Sequence, residues 1–546
     1  VRKAARPGSV ASAWSALAFP LFRILWIASV VSNIGTWMQN VAASWQMTIL
    51  TPSPMLVALM QTATALPTFL LALPAGAMAD IVNRRTLLIV TQAWMLAMAA
   101  LLGVLSLAGA INPAVLLLLT FLLGVGAALS TPVWQAMVPD LVEPEQLSSA
   151  VTMNGVSFNL ARAVGPALGG LVVAAAGPGP AYLLNAASFL AVIAVLARWR
   201  RPPEATVAPA ERVWGAVRAG ARYVRHSPEI RALLWRVTIF SFGASAYWAL
   251  LPLVAARTLA VGSTGYGVLL ALFGAGAVAG AVVLPRLQAR LSIDRIVAVT
   301  TGATVASLLV MGFVRNFTAV AAATALSGLC WMDMLSTMNV RTQTRVPPWV
   351  RARALAVYLL ALQGWLAIGS LIWGAVAERW SLSVAFAAAA AVLSAGIATV
   401  LLVPDLALAS EEVDFAPDIR WPDPAMAAPR NPEEGPIMVT VEFRIDPARS
   451  EEFLRVMDDV GAMRRRDGAL RWGVFRDLAE PSRFVETFLV ESWAEHLRQH
   501  ERSTVANRRI LARALAFHTP QAEPAVSHMI WGDARVDLAP PGTSSE

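Results

Sequence analysis

Twelve stretches of this chain are each long and apolar enough to cross a bilayer, which leaves few folds open to it. A spanning helix needs about 20 apolar residues, because the hydrocarbon core offers no partner to an unbonded N–H or C=O. The stretches run over 22–48, 55–79, 86–109, 113–138, 149–176 and 180–198, then 229–256, 264–285, 293–314, 317–341, 353–377 and 382–403. A polar interval parts them into two sets of six. The expectation is an all-α polytopic membrane protein of 12 transmembrane helices, with six-helix halves over 1–198 and 229–403 and a cytoplasmic loop over 199–228. Composition agrees: 57% of residues are hydrophobic and only 14% charged, against roughly 25% charged in a soluble domain.

The formal charge of +8 comes almost wholly from arginine, Lys3 being the only lysine. Arginines beside apolar runs suit a lipid bilayer with its anionic headgroups, and no nucleic acid partner is expected. With the N-terminus in the cytoplasm, the inner connections hold Arg84, Arg85, the cluster from Arg198 to Arg225, Arg286, Arg290, Arg295, Arg341, Arg345, Arg351 and Arg353. The outer ones hold only Arg257, Arg315 and Arg379. The positive-inside rule then puts both termini in the cytoplasm. Asp140, Glu143 and Glu145 dissent, but acids count little in that rule. Within 199–228, Val213, Trp214, Val217 and Val224 share a face, with Arg212, Arg218, Arg222 and Arg225 around them. That pattern predicts an amphipathic helix lying on the membrane surface. Cys330 is the sole cysteine, so no intrachain disulfide or multi-cysteine metal site is expected.

The halves repeat one another. At an offset of 208, Pro20 meets Pro228, Arg23 meets Arg231, Leu25 meets Leu233 and Gly35 meets Gly243. At an offset of 204, Gly124 meets Gly328, Pro144 meets Pro348, Gly165 meets Gly369 and Gly170 meets Gly374. Internal repeats of this kind are typical of secondary transporters, whose substrate path runs between the halves near the bilayer midplane. Between spans 2 and 3, Gly76, Asp80, Arg84 and Arg85 form a charged turn between uncharged runs, suited to gating at a membrane surface where its arginines meet headgroups. The second half has Leu284 where the first has Asp80, so any such latch is lopsided.

Ionisable groups at membrane depth are costly and mark function. Asp333 is the only carboxylate well inside a span. It reads either as a proton carrier or as a structural acid paired with an arginine or capping a broken helix. Arg162, near the middle of span 5, reads as an anion site, as a partner for Asp333, or as a snorkelling side chain. It precedes Gly165, Pro166, Gly169 and Gly170, where Gly-Pro kinks a helix and the paired glycines allow close packing. Span 1 offers Asn33, Trp37, Gln39 and Asn40 to a substrate path, and carries no acid.

Residues 404–436 are rich in Pro and acids, a stiff solvated linker. Beyond them the pattern turns soluble. Met438–Ile445 alternates like a half-buried strand; 448–466 reads as a helix, 469–476 and 483–491 as strands, 492–517 as helical, and 525–531 as a last strand. That βαββαβ order predicts a ferredoxin-like α+β domain over 437–536, with 537–546 a disordered tail. His496 and His500, i and i+4 on a helix, are weak metal candidates that lack an obvious third ligand. No cofactor is expected, and no Gly-rich phosphate loop appears.

The turn Gly76-Ala-Met-Ala79-Asp80-Ile-Val-Asn-Arg84-Arg85 resembles the signature between helices 2 and 3 of major facilitator superfamily transporters, with Asn83 where a second Gly is usual. Gly165, Pro166, Gly169 and Gly170 resemble the helix-5 motif of its exporters. In the tail, Trp472-Gly473-Val-Phe with Trp493-Ala-Glu-His496-Leu-Arg-Gln-His500 resembles small dimeric α+β modules of the antibiotic-biosynthesis monooxygenase type. Together with Ser157-Phe-Asn159-Leu-Ala-Arg162, these segments make the chain similar to the transmembrane secretion effector branch, whose members include enterobactin exporters and macrolide efflux proteins. The resemblance implies a proton-driven antiporter in a bacterial inner membrane that exports a siderophore or drug-like small molecule, with multidrug resistance one outcome. The tail is expected to be a regulatory or dimerising module, able to form a homodimer, and not a working oxygenase. The alternative is a membrane-tethered monooxygenase-like enzyme.

Overall fold

A computed structural model describes residues 14–199, 223–346, 348–402, 435–501, 504–519 and 524–531. Gly76 and Asp80 fall within a described helix, but their surroundings and the His500 side chain lie outside what is described, as do most of the surface helix expected over 213–225, the linker from 404 and the tail from 537. The chain divides into two compact units, a membrane body and a smaller unit built on the C-terminal tail.

The membrane body contains twelve helices long and apolar enough to span. The first six are α1 (Pro20–Leu50), α2 (Pro54–Ile81), α3 (Arg84–Leu107), α4 (Pro113–Met137), α5 (Leu147–Ala176) and α6 (Pro178–Arg198). The second six are α7 (Pro228–Leu253), α8 (Ser263–Gln288), α9 (Ile293–Phe313), α10 (Phe317–Thr344), α11 (Pro348–Arg379) and α12 (Leu382–Leu402). Six of them open on a proline, whose missing N–H costs nothing in the first turn. The Ser53, Asn83, Asn112 and Ser292 side chains cap α2, α3, α4 and α9 by accepting from backbone N–H groups three residues on. Gly177 ends α5 at φ +79°, a conformation closed to most side chains.

The internal repeat has a structural counterpart. Gly124 of α4 lies against Pro67 of α2, and its mate Gly328 of α10 lies against the Phe273 backbone of α8. Gly165 packs on Trp37 of α1, and Gly369 packs on Phe242 of α7. Gly170 meets Ser263 and Gly267 of α8, while Gly374 meets Met55 and Ala58 of α2. The last pair are the two seams between the halves, α5–α8 and α11–α2.

The two arginines of the 2–3 turn bond to the ends of neighbouring helices. Arg84 donates to the Ala136 carbonyl at 3.1 Å and to Asp140 at 3.3 Å, at the end of α4. Arg85 donates to the Leu196 and Ala197 carbonyls at 2.8 and 2.7 Å, at the end of α6. Each therefore caps a helix C-terminus, where unbonded carbonyls and the helix dipole attract cations. Asp140, the acid that dissented from the charge rule, is Arg84's partner.

The tail domain has strands β1 (Ile437–Arg444), β2 (Arg471–Arg476), β3 (Arg483–Val490) and β4 (Ala525–Ile530), in the antiparallel order β2-β3-β1-β4. Its helices are α13 (Ser450–Asp467), α14 (Trp493–Glu501) and α15 (Val505–Leu515). This is the ferredoxin-like plan. The helical stretch expected over 492–517 is two helices, because the Thr504 side chain caps a fresh start at Val505. Val439, Val441 and Phe443 alternate into the core against Phe453, Met457 and Val460 of α13. Glu486 is buried with them. It takes both forks of Arg464, at 3.0 and 3.3 Å, and the Trp472 indole N–H at 3.0 Å.

Candidate substrate cavity

A cavity of 440 Å³ lies between the halves of the membrane body, within the range of drug-sized sites. Five rings on its wall, Trp37, Phe158, Trp248, Tyr266 and Trp331, come from α1, α5, α7, α8 and α10. Arg162 enters from α5. Phe273, Trp248 and Trp37 hold its guanidinium at 4.7, 5.8 and 5.9 Å from their ring centres, distances at which an aromatic face attracts a cation. Pro166 explains part of this geometry. It has no N–H to give the Arg162 carbonyl four residues back, and that carbonyl faces Gly274 of α8 at close range.

Arg162, Trp37 and Asn40 line the cavity. The other span-1 candidates do not. Asn33 donates to Ser157 of α5 at 3.1 Å, and Gln39 accepts from Asn185 of α6 at 2.6 Å. Gln39 lies two residues from Trp37, about 200° around a helix of 3.6 residues per turn, so it turns away from the space that Trp37 faces. Gly165 and Gly169 bring α5 onto α1, and Gly170 brings it onto α8. Phe158, Tyr266, Trp248, Gln61 and Gln363 also line the cavity. Their signal in the sequence is weak, since an aromatic residue in mid-span reads equally as packing.

Asp333 is not at this site. Trp331 and Leu335 of α10 line the cavity, and Asp333 lies two residues from each, on the far side of the helix. There it is fully buried and faces Gly280 of α8. Among the described residues, neither carboxylate oxygen has a hydrogen-bond partner. Arg162 is level with Gly274 and Asp333 with Gly280, about 9 Å further along α8 at 1.5 Å per residue. The pairing of Arg162 with Asp333 weighed from sequence therefore does not occur.

The cavity is shut at the end carrying the 1–2 and 7–8 connections. Glu378 of α11 accepts from Ser53 Oγ at 2.8 Å and from the Met55 N–H at 3.0 Å, the first turn of α2. Arg257 donates to the Pro52 carbonyl. Ser263, at the start of α8, donates to Gly170 at 3.2 Å, and deeper in Thr62 donates to Ala367 at 3.0 Å. Gly155 shares the face of α5 that carries Arg162, seven residues nearer the opposite end, and has open space beside it among the described residues. Glu378→Gln should loosen the shut end by about 1 kcal/mol, the value of charged hydrogen bonds discounted for exposure. In a Met55→Cys background, labelling by an impermeant maleimide should rise roughly five-fold. An unchanged rate would deny Glu378 any latching role.

In the tail, His496 is buried and its Nε2 lies 2.9 Å from His528 Nε2, a direct hydrogen bond from α14 to β4. Burial holds the His528 imidazole below its ordinary range. Trp493 packs against both rings. Among the described residues no three His, Cys, Asp or Glu side chains converge to hold a metal.

Residues 11–536 match the family described as transmembrane secretion effector. The staphyloferrin A transporter of Staphylococcus aureus is 23% identical over 64% of this chain and 88% of its own length. The enterobactin exporter EntS of Salmonella typhimurium is 26% identical over 60% of this chain and 78% of its own. Among solved structures, a bacterial homologue of the lysosomal transporter Spinster, inward-facing, aligns with a TM-score of 0.53 at 15% identity, covering 73% of this chain and 96% of that one. A bacterial homologue of the iron transporter ferroportin, also inward-facing, aligns with a TM-score of 0.55 at 16% identity, covering 70% and 98%. Twelve spans in two repeated halves, a cavity at their seam and a family match across nearly the whole length place this chain in the transmembrane secretion effector family of major facilitator transporters.

Proposed function

We propose that this transporter exports a siderophore or related small molecule from the cytoplasm across a bacterial inner membrane, by alternating access coupled to protons. The observation that carries the reading is the cavity shut at its arginine-poor end, with open space beside Gly155 on the way to its arginine-rich end. With the arginine-rich connections and both termini in the cytoplasm, that state is one loaded from inside. Relatives named for staphyloferrin A and enterobactin make siderophores the first cargo to test. Asp333 is the coupling acid in this reading. Ionised where it sits, it would be a buried charge without compensation; a cycle that protonates it here and releases the proton in the outward state avoids that cost. The tail is a non-catalytic appendage in this scheme, with Glu486 committed to Arg464 and Trp472, and His528 to His496.

Inside-out membrane vesicles test both claims. Uptake of staphyloferrin A and enterobactin is followed with and without an imposed proton gradient, on wild type and on Asp333→Asn. Gradient-driven uptake of either compound in wild type, reduced at least ten-fold in the variant, is the expected result. No uptake of either compound by wild type would overturn siderophore export. Full gradient-driven uptake in the variant would remove Asp333 from the coupling step and leave export standing.

A further inference from the structure

The chemistry of the cavity points to a narrower class of cargo, and the argument rests on the export reading just given. Arg162 is 8% exposed, and no ion pair or hydrogen bond reaches it among the described residues. A guanidinium stays charged throughout the physiological range. No lining residue is acidic, and Asp333 lies behind α10. The site therefore carries one buried positive charge and nothing of opposite sign. Three rings compensate part of it, but a ring face attracts the cation without using its in-plane N–H donors. Those donors form a planar fork that matches the two oxygens of a carboxylate.

We propose that the cavity binds its cargo as an anion, through a carboxylate on Arg162, with a flat aromatic or amide-bearing body against Trp37, Trp248 and Trp331. Asn40, Gln61 and Gln363 supply amide groups for the remaining hydroxyls or amides of the ligand. The charge has to come from an acid that is ionised in the cytoplasm. A carboxylic acid with a pKa of about 4 qualifies, and a phenol near 10 does not. A bare catechol thus enters neutral and leaves Arg162 unanswered. An organic cation meets a like charge at close quarters and is excluded.

Binding to the purified full chain in lipid nanodiscs, followed by quenching of tryptophan fluorescence or by calorimetry, tests this directly. The probes are 3-hydroxy-2-naphthoate, its methyl ester and tetraphenylphosphonium. The acid should bind at least ten-fold tighter than the ester, and the phosphonium should not bind. Arg162→Gln should bring acid and ester to equal affinity. Arg162→Lys, which keeps the charge and loses the fork, should retain a preference for the acid at reduced strength. Equal binding of acid and ester to wild type would overturn the proposal, whether or not the glutamine variant folds. So would failure of the acid to bind, or tighter binding of the phosphonium. Binding that depends on Arg162, without flux of any probe in vesicles, would sink export and keep the anion site. Flux indifferent to the carboxylate would do the reverse.

Discussion

Gly276→Ala should leave little folded membrane body. A Cβ at that position of α8 would overlap the Ala325 carbonyl oxygen of α10. One turn back along the interface, a Cβ on Gly328 of α10 would overlap the Phe273 carbonyl oxygen of α8. Both obstacles are backbone, so no rotamer change relieves them and the two helices have to move apart. Overpacking of a core costs about 1–3 kcal/mol where side chains can yield, and a helix pair held by small residues has less give than that. Separation also strips contacts from Phe273, one of the rings around Arg162. Gly302→Ala is the control: its nearest neighbour would be 3.9 Å away, and an alanine gains up to ~1 kcal/mol over glycine in a helix. Thermal unfolding in detergent, read by tryptophan fluorescence, should show a large loss for Gly276→Ala and none for Gly302→Ala. Equal stabilities would mean that α8 and α10 are not in the contact described.

The second large effect belongs to the tail. Glu486 is 1% exposed and faces Arg464, itself 13% exposed, in a two-pronged ion pair. Removing one partner of a buried pair costs about 3–5 kcal/mol, because the other charge loses its compensation. For a domain of this size, that rivals much of its net stability. Glu486→Ala in the full chain should therefore open the tail to limited proteolysis and speed hydrogen exchange in β1 and β3, with the membrane helices unchanged. An Arg464→Met, Glu486→Leu double variant should recover much of the loss, since apolar replacements of similar volume are tolerated where a lone charge is not. Tail protection equal to wild type in Glu486→Ala would show that the pair contributes no stability.

The spans were legible because the bilayer imposes one requirement on every residue of a 20-residue run, and the strand alternation of Val439, Val441 and Phe443 was legible for the same kind of reason. What the sequence hides is the facing of polar groups on a helix surrounded by protein on several sides. Asn33 and Gln39 look as eligible as Asn40, and only the positions of Ser157 and Asn185, more than 120 residues away, assign the first two to packing. Arg84 and Arg85 read as headgroup anchors because the carbonyls they cap come from α4 and α6, far along the chain. The His496 and His500 spacing drew attention along one helix, whereas the partner of His496 comes from β4, across the sheet. Arg162 was recognisable as costly; that its surroundings are rings and not a carboxylate was not.

In the export scheme proposed above, the position of Asp333 behind α10 bears on how tightly the carrier can exchange proton and cargo. Where proton and cargo compete for one spot, arrival of the first expels the second, and stoichiometry is enforced by exclusion. Here a helix wall stands between them, so both can be aboard together, and each can ride alone. Fidelity then rests wholly on which occupied states are free to flip. Slippage becomes an intrinsic property: cargo running down its own gradient with no proton returned, and protons leaking inward through an empty carrier. Under the proposed scheme, a cell that carries this protein with nothing to export would meet that leak as a standing drain on its membrane potential.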